Sequence, residues 1–433
     1  MDQTEALIIE TIDRHREEIL EFARDIYSHA ELGYKEFQTS GKFVKKMEQL
    51  GLRTEKGFAI TGVKAYLNED KKENASLALL GELDALRIPE HAFANPETNA
   101  AHCCGHHAQM AGVFGAALAL TVPEIAEKLD GQVVFFATPA EEYGEIEFKN
   151  QLREQGGGKC ELLRIGAFDD IDLCLTHHIR PGNEILVGSG TGNGFVSKVI
   201  RVLGKASHAA GAPEKGVNAL SAASLGLQAL GLNRETFRDE DCVRVHPIIT
   251  KGGNLVNVIP DEVVVETLVR GKTIEAFTDA AKKTDRSFKA GAIAMGAKVE
   301  ISTLPGYLPT LAEEALPELK HAAEISASGI PVIEASGHAG GSTDVGDVQH
   351  LMPVYTFNTG GVKGGLHQID FEVTDEEEAY IVTAKMFALA AYGLLKEKAQ
   401  RSRELVDQYE PVFKNSAEYV EFMEQFDSKE IFE

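Results

Sequence analysis

Apolar residues follow helical spacing and strand spacing in alternation along the first part of the chain. In Thr4–Tyr27 and again in Phe37–Leu50 they recur every three to four positions, which predicts two amphipathic helices. A third helix is predicted at Ala108–Leu120. Short continuous apolar runs predict buried strands at Ser76–Leu80, Gln132–Ala137 and Asp172–Leu175. Strands that alternate with helices predict an α/β domain with a largely parallel central sheet.

The pattern changes after the glycine-rich run at 188–194, which resembles a linker. Strands and helices are then predicted in the order β-α-β-β-α-β, at Phe195–Leu203, Val217–Leu230, Val243–Thr250, Glu262–Arg270, Ile274–Met295 and Lys298–Thr303. This order is that of the split βαβ unit of ferredoxin-like domains. The chain then returns to α/β character, with strands near Val332 and at Val354–Phe357 and a helix from Asp375 to Glu397.

These patterns predict a small domain inserted into a larger one. The larger, catalytic domain comprises residues 1–187 and 305–398, and the inserted domain comprises residues 190–304. The remaining residues, 399–433, are rich in charge and are predicted to form a helical C-terminal tail.

Composition and charge restrict the partners of the protein. The 433 residues carry a formal net charge of −24, which disfavours nucleic acid and anionic membranes because both bind clustered Lys and Arg. No uninterrupted apolar run reaches the length of about 18 residues that a membrane span needs. The N-terminus has no secretion signal, and the five cysteines are not spaced as a disulfide framework. We therefore expect a cytoplasmic enzyme with reduced cysteines.

Ionisable residues follow each of the three predicted strands of the first domain. Glu82 and Asp84 follow the first strand, Glu141-Glu142 the second and His177-His178 the third. Ligand sites in open α/β sheets form at the carboxyl ends of the strands, so these residues are expected to converge. The G-x-S-x-G, phosphate-loop and H-E-x-x-H motifs are absent, which disfavours serine hydrolases, ordinary NTPases and zincins.

Residues that commonly ligate metals are concentrated at these positions and in two loops. The segment 102–107 reads HCCGHH, and His367 follows a pair of glycines. Thiolate, imidazole and carboxylate together suit Zn²⁺ or a neighbouring first-row ion. In a Glu-Glu pair, one carboxylate can bind metal while the other acts as a general base. Each residue taken singly is equally compatible with a buried or solvated structural role.

At these residues the chain resembles the metal-dependent amidohydrolases of the M20 peptidase clan. The resemblance is to the aminoacylase branch, which includes hippurate hydrolases, auxin-conjugate hydrolases and p-aminobenzoyl-glutamate hydrolase. The motifs that carry it are HAELGYKEFQTS (29–40), GELDAL (81–86), AHCCGHHAQ (101–109), ATPAEEYG (137–144), THHIRPG (176–182), GKASHAAGAPEKGVNAL (204–220), GGNLVNVIPDEV (252–263), GSTDVGDV (341–348) and GGLHQIDF (364–371).

The resemblance implies a metallopeptidase-type catalytic domain with a mixed central sheet and a metal centre within it. It implies one or two divalent ions, zinc or manganese in the first place and nickel or cobalt as alternatives. The implied ligands are Cys104, His106, Glu142, His178 and His367. Glu141 would be the general base for a metal-activated water, and Asp84 would orient a ligand or the base.

The inserted domain corresponds to the lid and dimerisation domain of the family. His208 corresponds to a histidine that stabilises the tetrahedral oxyanion in the partner subunit's active site, and Asn257 to a residue that holds the substrate carboxylate. The expected substrate is a small N-acyl or N-aroyl amino acid, similar to p-aminobenzoyl-glutamate, or a short peptide. The expected assembly is a homodimer.

The chain departs from the family pattern M-H-x-C-G-H-D-x-H in its third motif. Ala101 replaces Met, His107 replaces Asp and Gln109 replaces the last His. His107 would place an extra imidazole beside the metal site. In addition, Glu82 stands where this branch usually has Asp.

Two alternatives remain open from the sequence. Cys103 or Cys104 could be a nucleophile activated by His106 or His107. The chain could also be a non-catalytic ligand-binding protein of the same fold. Resistance to chelators would distinguish the first alternative, and ligand binding without turnover would distinguish the second.

Overall fold

The structure is a computed structural model that describes residues 1–142 and 157–433. The helices of the described residues are α1 (Gln3–Arg14), α2 (Arg16–Ser28), α3 (Phe37–Gln49), α4 (His106–Leu120), α5 (Pro123–Ala126), α6 (Gly158–Arg164), α7 (Ala219–Asn233), α8 (Ile274–Met295), α9 (Pro317–Ser326), α10 (Val345–Gln349), α11 (Thr383–Gln408) and α12 (Ser416–Glu424).

The strands of the described residues are β1 (Arg53–Phe58), β2 (Gly62–Leu67), β3 (Ser76–Glu82), β4 (Leu86–Arg87), β5 (Ala100–Ala101), β6 (Gln132–Thr138), β7 (Leu173–Ile179), β8 (Ile185–Val187), β9 (Thr191–Gly192), β10 (Gly194–Leu203), β11 (Arg244–Val245), β12 (Ile248–Lys251), β13 (Glu262–Gly271), β14 (Lys298–Pro305), β15 (Val332–Glu334), β16 (His338–Ala339), β17 (Val354–Thr359), β18 (Val362–Lys363), β19 (Glu372–Val373) and β20 (Ser428–Phe432).

The chain divides into two compact units. Unit 1 comprises Met1–Gly190, Leu311–Gly337 and Asp347–Ser416, and unit 2 comprises Thr191–Thr310, His338–Gly346 and Ala417–Glu433. Unit 2 therefore includes two segments beyond the predicted range of 190–304. The first joins because β16 pairs with β9, and the second because β20 pairs with β14.

The C-terminal tail was expected to be helical throughout, and the structure differs there. Residues beyond 399 continue α11, form α12 and end in strand β20. β20 pairs antiparallel with the edge of β14, from Val299 opposite Phe432 to Thr303 opposite Ser428. A strand edge is a row of unpaired backbone groups, and this pairing partner could not be read from the charge pattern of the tail.

Unit 1 contains a mixed eight-stranded sheet in the order β1-β2-β6-β3-β7-β17-β8-β15. Its central strands β6, β3, β7 and β17 are parallel, whereas β1, β2 and β8 run antiparallel to their neighbours towards the centre. Glu82 at the end of β3 lies opposite Thr138 at the end of β6. The parallel register therefore brings the carboxyl ends of β3 and β6 to the same edge.

Helix α4 forms the centre of the unit 1 core. Every residue of α4 is buried, because the helix is apolar on all sides. It packs on the sheet and on α11, and Gly112 and Gly115 allow the close approach of the two helices. The helical stretch Glu377–Gln408 is long and apolar enough to cross a membrane, but 89% of its apolar window is buried inside the protein, as in a core helix.

The single helix predicted at Thr4–Tyr27 is two helices in the structure. His15 has φ −95° and ψ 13°, which ends α1 and precedes α2. Asp2 and Glu5 form a capping box at the start of α1. The break allows α1 and α2 each to pack against α4, a tertiary requirement that the hydrophobic period does not reveal.

Unit 2 contains an antiparallel sheet in the order β11-β13-β10-β14-β20, with β12 also paired to β13. Its elements follow the order β10-α7-β12-β13-α8-β14. Helices α7 and α8 pack against each other and on the sheet. Strand β13 alternates strictly between buried and partly exposed residues, as expected for a sheet with one covered face.

Candidate metal centre

The carboxyl ends of β3, β6 and β7 bring together most of the residues that the sequence singled out. Asp84 follows β3, Glu141 and Glu142 follow β6, and His178 lies near the end of β7. The motif containing the two glutamates extends to residue 144, and its last two residues lie outside the described residues. The predicted convergence of these strand ends is what the parallel centre of the sheet produces.

A tight turn places Cys104 and His106 beside these strand ends. Gly105 has φ +89°, a conformation that favours glycine, and it directly precedes α4. A Cβ atom at this position would lie 2.0 Å from the Ile179 side chain. Only glycine therefore allows the thiol and the imidazole to flank this turn next to β7.

Two groups of ligand atoms share the Cys104 sulfur. The first contains Cys104, His106 and His178, and the second contains Cys104, Glu142 and His367. Cys104 Sγ lies 3.2 Å from His178 Nε2 and 3.3 Å from His367 Nε2. His367 Nε2 also lies 3.1 Å from Glu142 Oε1. The five residues thus form two adjoining triads around one thiol.

Hydrogen bonds orient two of the imidazoles towards this centre. His106 Nδ1 donates to the backbone carbonyl of Asp84 at 2.9 Å, and His178 Nδ1 donates to the carbonyl of Ile179 at 2.7 Å. Because a carbonyl only accepts, Nδ1 carries the proton and Nε2 of each neutral ring keeps its lone pair. The Asp84 carboxylate, which is fully buried, also accepts from the Glu142 backbone N–H at 3.0 Å.

These residues fit divalent ions by their chemistry. One buried thiol, three imidazoles and one carboxylate are the donors that zinc and similar ions accept. Burial raises the pKa of the Cys104 thiol well above its usual value, so a thiolate there needs a cation beside it. The imidazole nitrogens at the centre are the atoms left free by the hydrogen bonds of Nδ1.

Glu141 lies at the rim of this centre. Its carboxylate is mostly buried, and Oε2 lies 3.9 Å from His106 Nε2. The preceding Ala140 has φ +47°, and its N–H donates to the buried Glu36 carboxylate at 2.8 Å. His367 has φ +62°. Left-handed backbone at residues other than glycine is costly and is concentrated at functional sites.

Sequence reasoning missed a buried cluster next to His106. Glu82 accepts hydrogen bonds from Lys159 Nζ at 2.5 Å and from Gln109 Nε2 at 2.7 Å. Burial raises the pKa of Glu82, but Lys159 and His106 outweigh burial and lower it to about 2. The sequence signal was available in the two departures Glu82 and Gln109, whereas nothing marked Lys159 as their partner.

His107 is turned away from the metal centre, contrary to the expectation of an extra imidazole beside it. Its Nε2 lies 3.1 Å from the hydroxyl of Tyr380, and its ring packs against Tyr27 and His102. Burial lowers the pKa of His107 to about 3. Within the described residues, His107 belongs to neither triad. The helical step from His106 to His107 sends the second ring towards α11 and the core.

His208 and Asn257 belong to unit 2, whereas the other predicted site residues belong to unit 1. Both are exposed on neighbouring loops. His208 Nδ1 accepts from the N–H groups of Ala210 and Gly211, and the Ala209 N–H donates to the Asn257 carbonyl at 2.9 Å. These two residues are therefore brought next to each other, and their roles stay predictions.

The sequence profile of peptidase family M20/M25/M40 matches residues 78–392. The chain belongs to this family. It is 28% identical over 403 residues to the mouse Xaa-Arg dipeptidase, which covers 90% of this chain and 85% of the relative. It is 27% identical over 310 residues to one of the subunits of the p-aminobenzoyl-glutamate hydrolase of Escherichia coli, which covers 70% of this chain and 60% of the relative.

Solved structures agree on the fold. A putative aminohydrolase from methicillin-resistant Staphylococcus aureus superposes with a TM-score of 0.72 at 22% identity, over 90% of this chain and all of that one. This M20 family member is a metal-dependent amidohydrolase that acts on amides of amino acids. The predicted family and enzyme class are thereby confirmed, as is the mixed α/β fold.

Proposed function

We propose that the protein hydrolyses the amide bond of an N-acyl or N-aroyl amino acid, similar to p-aminobenzoyl-glutamate, or of a short peptide. The observation that carries the proposal is the pair of triads that share Cys104 Sγ, with Glu141 beside them. Cys104, His106 and His178 would hold one ion, and Cys104, Glu142 and His367 the other. Zinc or manganese suits this donor set, with nickel or cobalt as alternatives.

Divalent ions bound there would polarise the scissile carbonyl and lower the pKa of the attacking water. Glu141 would take the proton of that water and pass it to the leaving amine. Asp84 would hold His106 through Nδ1 and the backbone of Glu142 through its carboxylate, and so fix a ligand from each triad.

Unit 2 supports a role as lid and dimerisation domain of the ferredoxin-like type. Its order β-α-β-β-α-β is consistent with that type. In a homodimer, His208 would stabilise the oxyanion in the partner subunit's active site, and Asn257 would bind the substrate carboxylate. Their exposure leaves both side chains available for such contacts. We also propose that the enzyme acts in the cytoplasm.

The test is amino-acid release from N-acetyl, N-benzoyl and p-aminobenzoyl amino acids and dipeptides. The full chain is first stripped of metal and then assayed with and without Mn²⁺ or Zn²⁺. We expect release that depends on the added ion from at least one substrate class. Absence of release from the whole panel, with two ions bound, would contradict the proposed substrates.

A matched pair of variants tests the role of Glu141. Glu141→Gln is expected to lower kcat by about 10²- to 10⁴-fold, because the general base is lost, while both ions stay bound. Glu142→Gln is expected to lose an ion as well as activity. Loss of metal in Glu141→Gln would instead make Glu141 a ligand.

A further inference from the structure

A second set of buried ligand atoms shares His106 with the first triad. Glu82, His106 and Glu141 each offer one such atom, and the three atoms lie within 4.8 Å of one another. All three side chains are buried. The proposed metal centre uses His106 and Glu141 but leaves Glu82, which lies closest to the imidazole, without a role.

The contact between Glu82 and His106 has the length of a hydrogen bond without its geometry. Glu82 Oε2 lies 3.1 Å from His106 Nε2. His106 Nε2 nevertheless has no hydrogen-bond partner among the described residues, although it is buried. Two atoms that bind one ion at about 2.1 Å, roughly at right angles, are about 3 Å apart. The separation is therefore that expected of two ligands of the same ion.

Two neighbours fix the Glu82 carboxylate in this position. Lys159 Nζ donates to Oε1, and Gln109 Nε2 donates to Oε2. Gln109 Oε1 in turn accepts from the Glu82 backbone N–H at 3.0 Å. A carboxylate oxygen has two lone-pair positions, so Oε2 can accept from Gln109 and still face His106.

Charge favours the same arrangement. The centre already holds the carboxylates of Glu141 and Glu142 and the Cys104 sulfur within one buried region. A further buried carboxylate is costly unless it is paired. Lys159 is itself fully buried, and its ammonium supplies that pairing at Oε1. Oε2 is thus kept charged and oriented next to His106.

We propose that Glu82 is an additional ligand of the ion held by His106, and that Lys159 and Gln109 are positioning residues for its carboxylate. The proposal rests on the metal centre of the proposed function. It also gives a purpose to two departures from the family pattern. Glutamate reaches about 1.5 Å further than the aspartate usual at this position, and Gln109 binds its carboxylate where the family has histidine.

The experiment is a crystal structure of the full chain loaded with Zn²⁺, with ions located by anomalous scattering. We expect a Glu82 oxygen at about 2.0–2.2 Å from the ion on His106. A Glu82 carboxylate more than about 3 Å from every ion would overturn the proposal. This measurement uses the unmodified protein, so it does not depend on the folding of a variant.

Metal titration of variants provides the second measurement. Glu82→Gln is expected to weaken binding of one Co²⁺ ion at least tenfold and to leave the other ion unchanged. Glu300→Gln, which removes a buried and paired carboxylate from unit 2, is the matched control and should bind like wild type. Wild-type binding of both ions by Glu82→Gln would overturn the proposal.

Lys159 is tested by its conservative replacement. Lys159→Met is expected to weaken the same ion about tenfold, and Lys159→Arg to restore part of the loss, because only the charge that holds Glu82 is returned. Equal loss in both variants would contradict the positioning role. If wild type binds two ions, with Glu82 attached, but hydrolyses none of the amides tested, the proposed function fails while this inference stands. If wild type binds no ion, both fail.

Discussion

Cys104 is the residue on which the two triads depend, because its sulfur lies within 3.3 Å of His178 Nε2 and of His367 Nε2. No other side chain of the described residues belongs to both. Cys103, its neighbour, is fully buried, and burial raises the pKa of its thiol to about 12. A nucleophilic role for Cys103 therefore has little physical support, since the thiolate is the reactive form.

Replacement of Cys104 tests this shared position. Cys104→Ser should lower the bound metal from two ions to one or none, and activity at least 100-fold, because a serine hydroxyl does not ionise near neutral pH. Metal content measured by plasma emission spectrometry checks this. Cys242→Ser, in unit 2, is the control and should retain both ions. Two ions in Cys104→Ser would contradict the shared-ligand arrangement.

Glu313 is expected to make the stability of the protein depend on pH. Burial raises the pKa of Glu313 to about 8, and its carboxylate accepts from the Thr356 N–H and from Gln349. Because the folded-state pKa lies above the unfolded value, the contribution to stability is full below about pH 4.5. It is lost as pH rises towards and through 8.

Glu313→Gln should therefore flatten the decline in unfolding free energy between pH 5 and pH 8. We expect the variant to gain on the order of 2 kcal/mol relative to wild type at pH 8 compared with pH 5. Denaturant unfolding at both pH values measures the change. Glu314→Gln, at the exposed neighbouring position, should follow the wild-type pH dependence. A parallel decline in Glu313→Gln would refute the assignment.

At the scale of elements, the contact between α4 and α11 depends on glycine. A Cβ atom on Gly115 would lie 2.5 Å from Ala384 Cβ and 2.9 Å from the Ile19 side chain. Gly41 in α3 has no neighbour within 4 Å of its added Cβ. The two positions thus share a helical backbone and differ only in packing.

The same substitution should have opposite effects at these glycines. Gly115→Ala is expected to destabilise the protein by about 1–3 kcal/mol, because the core must move apart. Gly41→Ala should stabilise it by about 0.5–1 kcal/mol, because the unfolded chain loses freedom. Melting temperatures compare the two. A gain in stability for Gly115→Ala would show that the helices separate without cost.

The elements of the parallel centre could be predicted because their apolar runs are long and bounded by polar residues. Strands β3, β6 and β7 lie at the predicted places, and each extends beyond its predicted carboxyl end. The strands extend because ladder bonds to neighbours continue into the polar residues, as in Glu82 opposite Thr138. The break at His15 could not be predicted, since the apolar period continues through it.

At the scale of the whole molecule, the last strand covers one edge of the unit 2 sheet. β20 pairs with β14, and Lys289–Glu430 and Lys298–Glu433 ion pairs accompany the contact. Helix α8 also contacts this C-terminal segment, with Phe277 against Phe426. Covering an edge strand prevents it from pairing with other chains.

Removal of residues 428–433 should therefore promote self-association. The exposed edge of β14 is expected to pair with other molecules, which light scattering would detect as an increase in mass at concentrations where the full chain is stable. Removal of Glu433 alone keeps β20 and is the control. A truncated protein with the mass of the full chain would contradict this role of β20.

The sequence by itself determined the family, the enzyme class and the order of the main elements, because these depend on local periodicity and on motifs that are short and contiguous. It also supplied the residues that form the two triads. The tertiary structure decided which atoms face one another: that Cys104 Sγ is common to both triads, that His107 turns to Tyr380, and that Lys159 pairs with Glu82. Such contacts join residues far apart in the chain, and they follow from strand register and helix packing, which no local pattern specifies.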